Sequence, residues 1–318
     1  MDDGLAKLNE LMWGYRASRA LHVLCGLKVF TRLAGGAMSC DALASACGAE
    51  AGMLDKLLIA GAAMGLLDKD GSAYCNSALS ATYLAEGKPL YQGNIIAHSA
   101  RVWDVWGELP KAAGIAELLK GDSAAEHRDF ILGMHNITMA GRGALFLEAV
   151  DLTGRRSLAD IGGGPGTYSI MACQRYPGLR ATVFDLPATA AIAREVIGQH
   201  GLAARIGVQE GSWETDEFGR GYDAALLSNV LHGAGSQAGM KLRKAYAALE
   251  AGGLLAVQEF VLNDAKTGPL VPALFNVMVG AYSRAELTGE IEKAGFEDVQ
   301  TAGQDAAVGS LWLTARRP

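Results

Sequence analysis

The chain has 318 residues, 50% of them apolar and 19% charged, with a formal net charge of −6. This length and composition exclude a disordered chain and allow two domains with large cores. The acidic balance argues against non-specific binding to nucleic acid or anionic membranes. The polar start MDDGLAKLNE lacks the pattern of a secretory signal, and the longest apolar run, LLIAGAAMGLL at 57–67, is too short to span a bilayer. A soluble, cytoplasmic protein is expected. The cysteines at 25, 40, 47, 75 and 173 contain no C-x-x-C pair, so they read as small apolar residues in a reducing compartment, and no metal site is expected.

In chain order, residues 5–34 carry Leu8, Leu11, Met12, Tyr15, Leu21, Leu24, Leu27 and Phe30 at helical spacing, which predicts one or two amphipathic helices. That is more apolar surface than a small domain can bury by itself, so a homodimer is expected. Ser39 or Asp41 can cap a short helix that Gly48 breaks, a second helix runs to about Gly65, and Asp70-Gly71 joins two short strands. Helix, helix, hairpin is the winged-helix pattern. The second helix carries one lysine and almost nothing that could read base edges, so packing or dimerisation suits it better than DNA. Residues 91–150 read as mostly helical, with Trp103, Trp106, Phe130, Met134, Met139 and Phe146 expected mainly in the core and an exposed loop from Gly121 to Asp129. DLTGRR at 151–156 is the linker. The boundaries drawn are 1–90, 91–150 and 151–318.

From 157 onward strands are predicted near 157–161, 181–185, 205–209, 222–227 and 254–261 with helices between them, the pattern of a parallel sheet with helical crossovers. EDVQTAG and GSLWLTARR, too closely spaced for a crossover, form an antiparallel hairpin at a sheet edge. After the first of these strands come Asp160, Gly162, Gly164 and Gly166, a D-x-G-x-G-x-G loop that leads into a helix. Bare backbone there can approach a ligand, and the helix N-terminus can hold an anionic group. A dinucleotide fingerprint would place a glycine at Thr167, so a pyrophosphate is disfavoured, and a nicotinamide dehydrogenase with it. Asp185, 25 residues after Asp160, ends the next strand where an acid can hydrogen-bond a ribose diol.

The winged-helix region, DIGGGPG, VFDLP, EGSW, LLSNVLH, AVQEFVLND and the final hairpin together resemble the S-adenosylmethionine-dependent small-molecule O-methyltransferases, the group of the caffeate and acetylserotonin enzymes and many bacterial natural-product enzymes. The resemblance covers nearly the whole chain. It implies an α/β fold, a Rossmann-like S-adenosylmethionine-binding domain behind a mainly helical, winged-helix-like dimerisation domain, and a small-molecule acceptor. Carried over by position, Asp160, Gly162, Gly164 and Gly166 form the loop that cradles the methionine end of the cofactor. Asp185 holds the ribose hydroxyls, Leu186 touches the adenine, and Ser212 and Trp213 match positions beside it. Ser228, grouped with the cofactor contacts, stands where the family often has lysine. His232 falls at the general base, and Glu259 at the carboxylate that orients it. Met134, His135, Met139, Phe275, Asn276 and Met278 match regions that line the acceptor pocket, and their composition implies an aromatic or otherwise apolar acceptor.

The chain also departs from the family pattern. Gly233-Ala234 follows His232 where Asp-Trp is common, and Ala281 stands where a second carboxylate is expected. The expected reaction is methyl transfer to a hydroxyl of a small aromatic or polyketide-like compound. Transfer to carbon or nitrogen on the same fold, for example on a pigment macrocycle, stays open, and a cofactor-binding DNA regulator is the more distant alternative.

Overall fold

The computed structural model describes residues 3–116, 123–306 and 308–318. The chain divides into two compact units, one drawn from Met1–Lys120 and Leu262–Ser283, the other from Gly121–Val261 and Arg284–Pro318.

In the first unit the helix Asp3–Gly26 is continuous. Lys28, in the left-handed region at φ 57°, separates it from the single turn Val29–Arg32. Strand β1 (Met38–Ser39) leads into the helix Cys40–Cys47, whose N-terminus Ser39 caps by accepting from Ala42 N–H and whose C-terminus is Gly48 at φ 64°. Glu50 caps the next helix, Ala51–Ala63, through Gly52 and Met53 N–H. Strands β2 (Leu67–Asp70) and β3 (Ala73–Asn76) turn over Asp70-Gly71, and the small antiparallel sheet has the order β1-β3-β2. Leu24, Phe30, Leu43, Leu54, Leu58 and Tyr74 form its core. Leu274 and Val277, from the helix Leu270–Val279, pack against the same core. That helix lies between strands of the other unit in sequence.

The second unit is built on a sheet of β4 (Ser157–Ile161), β5 (Arg180–Asp185), β6 (Ile206–Glu210), β7 (Tyr222–Ser228), β8 (Leu249–Phe260), β9 (Glu297–Asp305) and β10 (Ser310–Arg316). Their order is β6-β5-β4-β7-β8-β10-β9, parallel through β8, with β10 antiparallel to both neighbours. The central strands are apolar runs without alternation, as a sheet covered on both faces requires. Chain order turns back between β4 and β7, the topological switch where such folds bind ligands. Phe146, Tyr168 and Trp312 form an aromatic cluster with ring centroids 5.0–5.5 Å apart.

Three expectations are corrected. Strand β8 begins at Leu249 rather than 254, with a register irregularity opposite Tyr222 and Ala224. Of the loop expected at 121–129, residues 121–122 lie outside the described residues, and from Ser123 the chain is helix to Ile137. Its polarity marks a solvent face built from good helix formers rather than a loop. Trp106, Phe130 and Met139, expected in the core, are exposed, and among the six large residues expected there Phe146 is the one fully buried.

Candidate active site

The C-terminal ends of β4, β5, β7 and β8 share one edge of the second unit's sheet, and each delivers part of the site. After β4, Gly162, Gly164 and Gly166 all take left-handed φ, at 67°, 56° and 76°. A Cβ on Gly162 would stand 2.7 Å from Val230 Cγ1, and one on Gly163 2.6 Å from Asp160 Cγ. A Cβ on Gly164 would meet nothing within 4 Å, so the bare backbone there borders open space before the helix Thr167–Arg175 begins. Asp160 lies buried beneath the loop, with Oδ2 accepting from Ser169 Oγ at 2.7 Å. Burial pushes its carboxyl up to about 6, against the Ser169 hydrogen bond.

At the end of β5, Asp185 accepts from Gly164 N–H at 2.9 Å through Oδ2 and from Leu186 N–H at 2.8 Å through Oδ1. Burial raises its pKa and these bonds oppose the rise. The carboxylate is thereby fixed to the glycine loop, while the Leu186 side chain is exposed. After β6, Ser212 sits in a turn in which its N–H donates to Asp216 Oδ2 and its Oγ accepts from Glu214 N–H. Trp213 Cζ3 lies 3.7 Å from where a Gly162 Cβ would be, which brings the indole beside the loop.

After β7, Ser228 Oγ donates to Gln258 Oε1 at 2.6 Å, and Asn229 Nδ2 donates to the same oxygen at 2.7 Å. His232 Nδ1 lies 3.0 Å from Oε2 of Glu259, the penultimate residue of strand β8. Glu259 is buried, and its Oε1 accepts from Leu231 N–H at 2.6 Å. Burial pulls the imidazole pKa down, but the Glu259 carboxylate outweighs it and leaves the ring above its ordinary value.

The positions matched to an acceptor pocket fall in both units. Met134, His135 and Met139 belong to the second unit, where His135 Nδ1 pairs with Thr167 Oγ1 at 2.9 Å beside the glycine loop and Met139 is exposed. Phe275, Asn276 and Met278 belong to the first, where Phe275 meets Trp13 and Arg16, Asn276 Oδ1 accepts from Ala281 N–H at 3.0 Å, and Met278 is exposed. Ala281 packs against Ile59, Leu262 and Ala273.

Sequence reasoning missed Gln258, Lys241 and Lys244. Lys241 is buried, donates to Val230 O at 2.7 Å and places Nζ 3.9 Å from the centre of the Trp213 ring. Burial lowers its pKa. Lys244 Nζ donates to the carbonyls of Trp213 and Asp216. The signal available in the sequence was two lysines three apart on the helix that follows His232, at the spacing of one helical face. Among the described residues no group of three or more metal-ligating side chains forms, and no helix is long and apolar enough to cross a membrane.

A glycine loop with an acid closing the next strand, on a parallel sheet with an antiparallel C-terminal hairpin, defines a Rossmann-like methyltransferase. Residues 101–297 match the O-methyltransferase domain family and residues 9–86 the O-methyltransferase dimerisation domain, and the chain belongs to the O-methyltransferase family. It is 31% identical over 317 residues to the 3-hydroxy-5-methyl-1-naphthoate 3-O-methyltransferase of Streptomyces sahachiroi, covering 92% of this chain and 90% of that one. Among solved structures it is similar to an O-methyltransferase family 2 protein of Planctomyces limnophilus in complex with apigenin, with a TM-score of 0.82 at 25% identity over 98% of this chain and 96% of that one. It is also similar to human N-acetylserotonin methyltransferase in complex with SAM, with a TM-score of 0.56 at 25% identity over 100% and 98% of the chains. The enzyme is an S-adenosylmethionine-dependent O-methyltransferase.

Proposed function

We propose that the enzyme methylates a hydroxyl of a small aromatic or polyketide-like acceptor, with His232 as general base. The observation that carries this reading is the 3.0 Å approach of His232 Nδ1 to the buried Glu259 carboxylate at the edge that also holds the glycine loop. S-adenosylmethionine, when bound, supplies a methyl group on a positively charged sulfur. The residues present suit it. The open backbone at Gly164, with Gly162 and Gly166 shaping the turn and Asp160 beneath it, receives the methionine end. Asp185 holds the ribose hydroxyls, Leu186 and Trp213 border the adenine with Ser212 in the adjoining turn, and Ser228 belongs to the polar group at the end of β7. The candidates for contact with the acceptor are Met134, His135 and Met139 of the second unit and, separately, Phe275, Asn276 and Met278 of the first.

In this reading Glu259 orients the ring through Nδ1, which leaves Nε2 to take the proton of the acceptor hydroxyl, while S-adenosylmethionine held at the glycine loop would supply the methyl group and keep the electron pair of the broken carbon–sulfur bond. The imidazolium so formed is stabilised by the Glu259 carboxylate. Residues 1–90 serve dimerisation, 91–150 contribute to the pocket and 151–318 bind the cofactor. The enzyme works as a homodimer in the cytoplasm, in keeping with five free cysteines. Ala281 lies in an apolar cluster and supplies no second carboxylate, which favours an acceptor hydroxyl acidic enough for one imidazole, or transfer to another atom.

His232→Ala should lower turnover on a hydroxylated aromatic acceptor by about 10²–10⁴-fold with little change in affinity for S-adenosylhomocysteine. Turnover retained within a few fold, with methyl transfer rate-limiting, would remove His232 as the base and favour carbon or nitrogen transfer.

A further inference from the structure

Lys241 is a lysine buried without a carboxylate beside it. It lies on the helix Ala238–Ala248, is 4% exposed and makes no ion pair among the described residues. A lysine is almost never fully buried unless something takes the place of water around its ammonium. Two groups do so here. The Val230 carbonyl accepts from Nζ at 2.7 Å, and the Trp213 ring turns a face to Nζ, with its centre 3.9 Å away. Both are electron-rich, and an ammonium desolvated over an aromatic face is held more strongly than an exposed one.

The same residues meet the glycine loop. From the place a Gly162 Cβ would occupy, Val230 Cγ1 lies 2.7 Å away and Trp213 Cζ3 3.7 Å. Lys241 therefore grips both neighbours of Gly162, one by its backbone and the other by its ring. The other bonds of the Trp213 turn act on its backbone. Ser212 N–H donates to Asp216 Oδ2, and Lys244 Nζ donates to the carbonyls of Trp213 and Asp216. None of these reaches past the side-chain torsions that set the indole's direction. The indole N–H makes no hydrogen bond among the described residues, so Lys241 is the ring's polar partner there.

We propose that Lys241 is a positioning residue for the cofactor's adenine: its ammonium holds one face of the Trp213 indole and so presets the other face for the flat purine. The inference rests on Trp213 bordering the adenine. A ring left to turn about its side-chain torsions would lose that freedom at the moment of binding, and a ring held beforehand does not.

The test is calorimetry of the full-length chain with S-adenosylhomocysteine. Lys241→Gln keeps a donor for the Val230 carbonyl and gives up the charge, and it should weaken binding about tenfold, the scale of a desolvated cation–π contact. Lys241→Arg, which keeps both the charge and a donor, should stay within about threefold of the normal protein. In a Trp213→Leu background Lys241→Gln should cost nothing further, because its effect passes through the indole. A role in packing alone would cost the same in both backgrounds. In ligand-free protein labelled with fluorotryptophan, the fluorine resonance that Trp213→Leu removes should move in Lys241→Gln. Binding by Lys241→Gln within about twofold of the normal protein, an equal loss with and without Trp213, or an unmoved resonance overturns the proposal. Should Lys241→Gln not fold, Lys241→Met, of similar length and without a polar end, decides the question by the same comparison. A Trp213→Leu protein that binds as tightly as the normal one defeats the reading of Trp213 and the proposal with it, whereas a weakened Trp213→Leu beside a silent Lys241→Gln defeats the proposal alone.

Discussion

Asp160 shows how a short motif hides its physical state. Its place before the glycines was legible, but the pattern D-x-G-x-G-x-G does not say that the carboxyl is buried under Gly163 and bonded to Ser169. Burial holds it at about 6, above the ~3.9 of an unfolded chain, so folding favours the protonated form. Its contribution to stability is therefore present below about pH 4 and is lost as pH rises toward 6. Asp160→Asn cannot ionise, so its unfolding free energy relative to the normal protein should rise across that interval by on the order of 2–3 kcal/mol and then level off. Denaturant melts at pH 4, 5, 6 and 7 check this, and parallel curves for the two proteins would contradict it. His232 and Glu259 were legible together because neighbouring parallel strands end at one edge. Lys241 was not, since a lysine on an amphipathic helix ordinarily reads as solvated. Its burial follows from the Val230 carbonyl and the Trp213 ring, which no spacing in the sequence announces.

The glycine loop separates two demands that one motif carries. Gly162 and Gly164 share a left-handed backbone, yet the first is hemmed in by Val230 and the second borders open space. Gly162→Ala should cost stability through both strain and overlap, on the order of 2–4 kcal/mol. Gly164→Ala should cost only about 1 kcal/mol of strain while losing most of its affinity for S-adenosylhomocysteine, because the added methyl occupies the ligand's side. Thermal melts with and without the ligand distinguish them, and equal stability losses would show that the loop's space has been misread. In the normal protein the ligand should raise the melting temperature by mass action, and NAD should not. The helix Ser123–Ile137 was not legible because its polar residues serve equally well in a loop, and only its packing on the helix Pro187–Gln199 decides between them.

At the scale of the whole molecule, the helix Leu270–Val279 limits what chain order can reveal. It follows β8 in sequence but packs through Leu274 and Val277 with the core of the N-terminal helices, so position along the chain does not reveal its unit. The first helix poses the opposite case. Leu8, Leu11, Met12 and Tyr15 were read as an apolar face too large for one small domain, and each remains more than half exposed within the chain. With the dimerisation-domain match over residues 9–86, a homodimer is the expected state. Light scattering through a dilution series should report twice the chain mass, and Leu11→Glu with Met12→Glu should shift it toward the monomer. A normal protein that stays monomeric at high concentration would count against the dimer.

The most direct test of the catalytic account is single-turnover methyl transfer followed across pH. A neutral imidazole is required to take the proton, so the rate should fall as pH drops through the titration of His232. Because the Glu259 carboxylate outweighs burial, the midpoint should lie above the ordinary imidazole value of about 6.5. Glu259→Gln should move that midpoint downward, and His232→Ala should be slow and should lack the titration altogether. A His232→Ala enzyme that keeps the same rate and the same pH profile would contradict the assignment of His232 as the base.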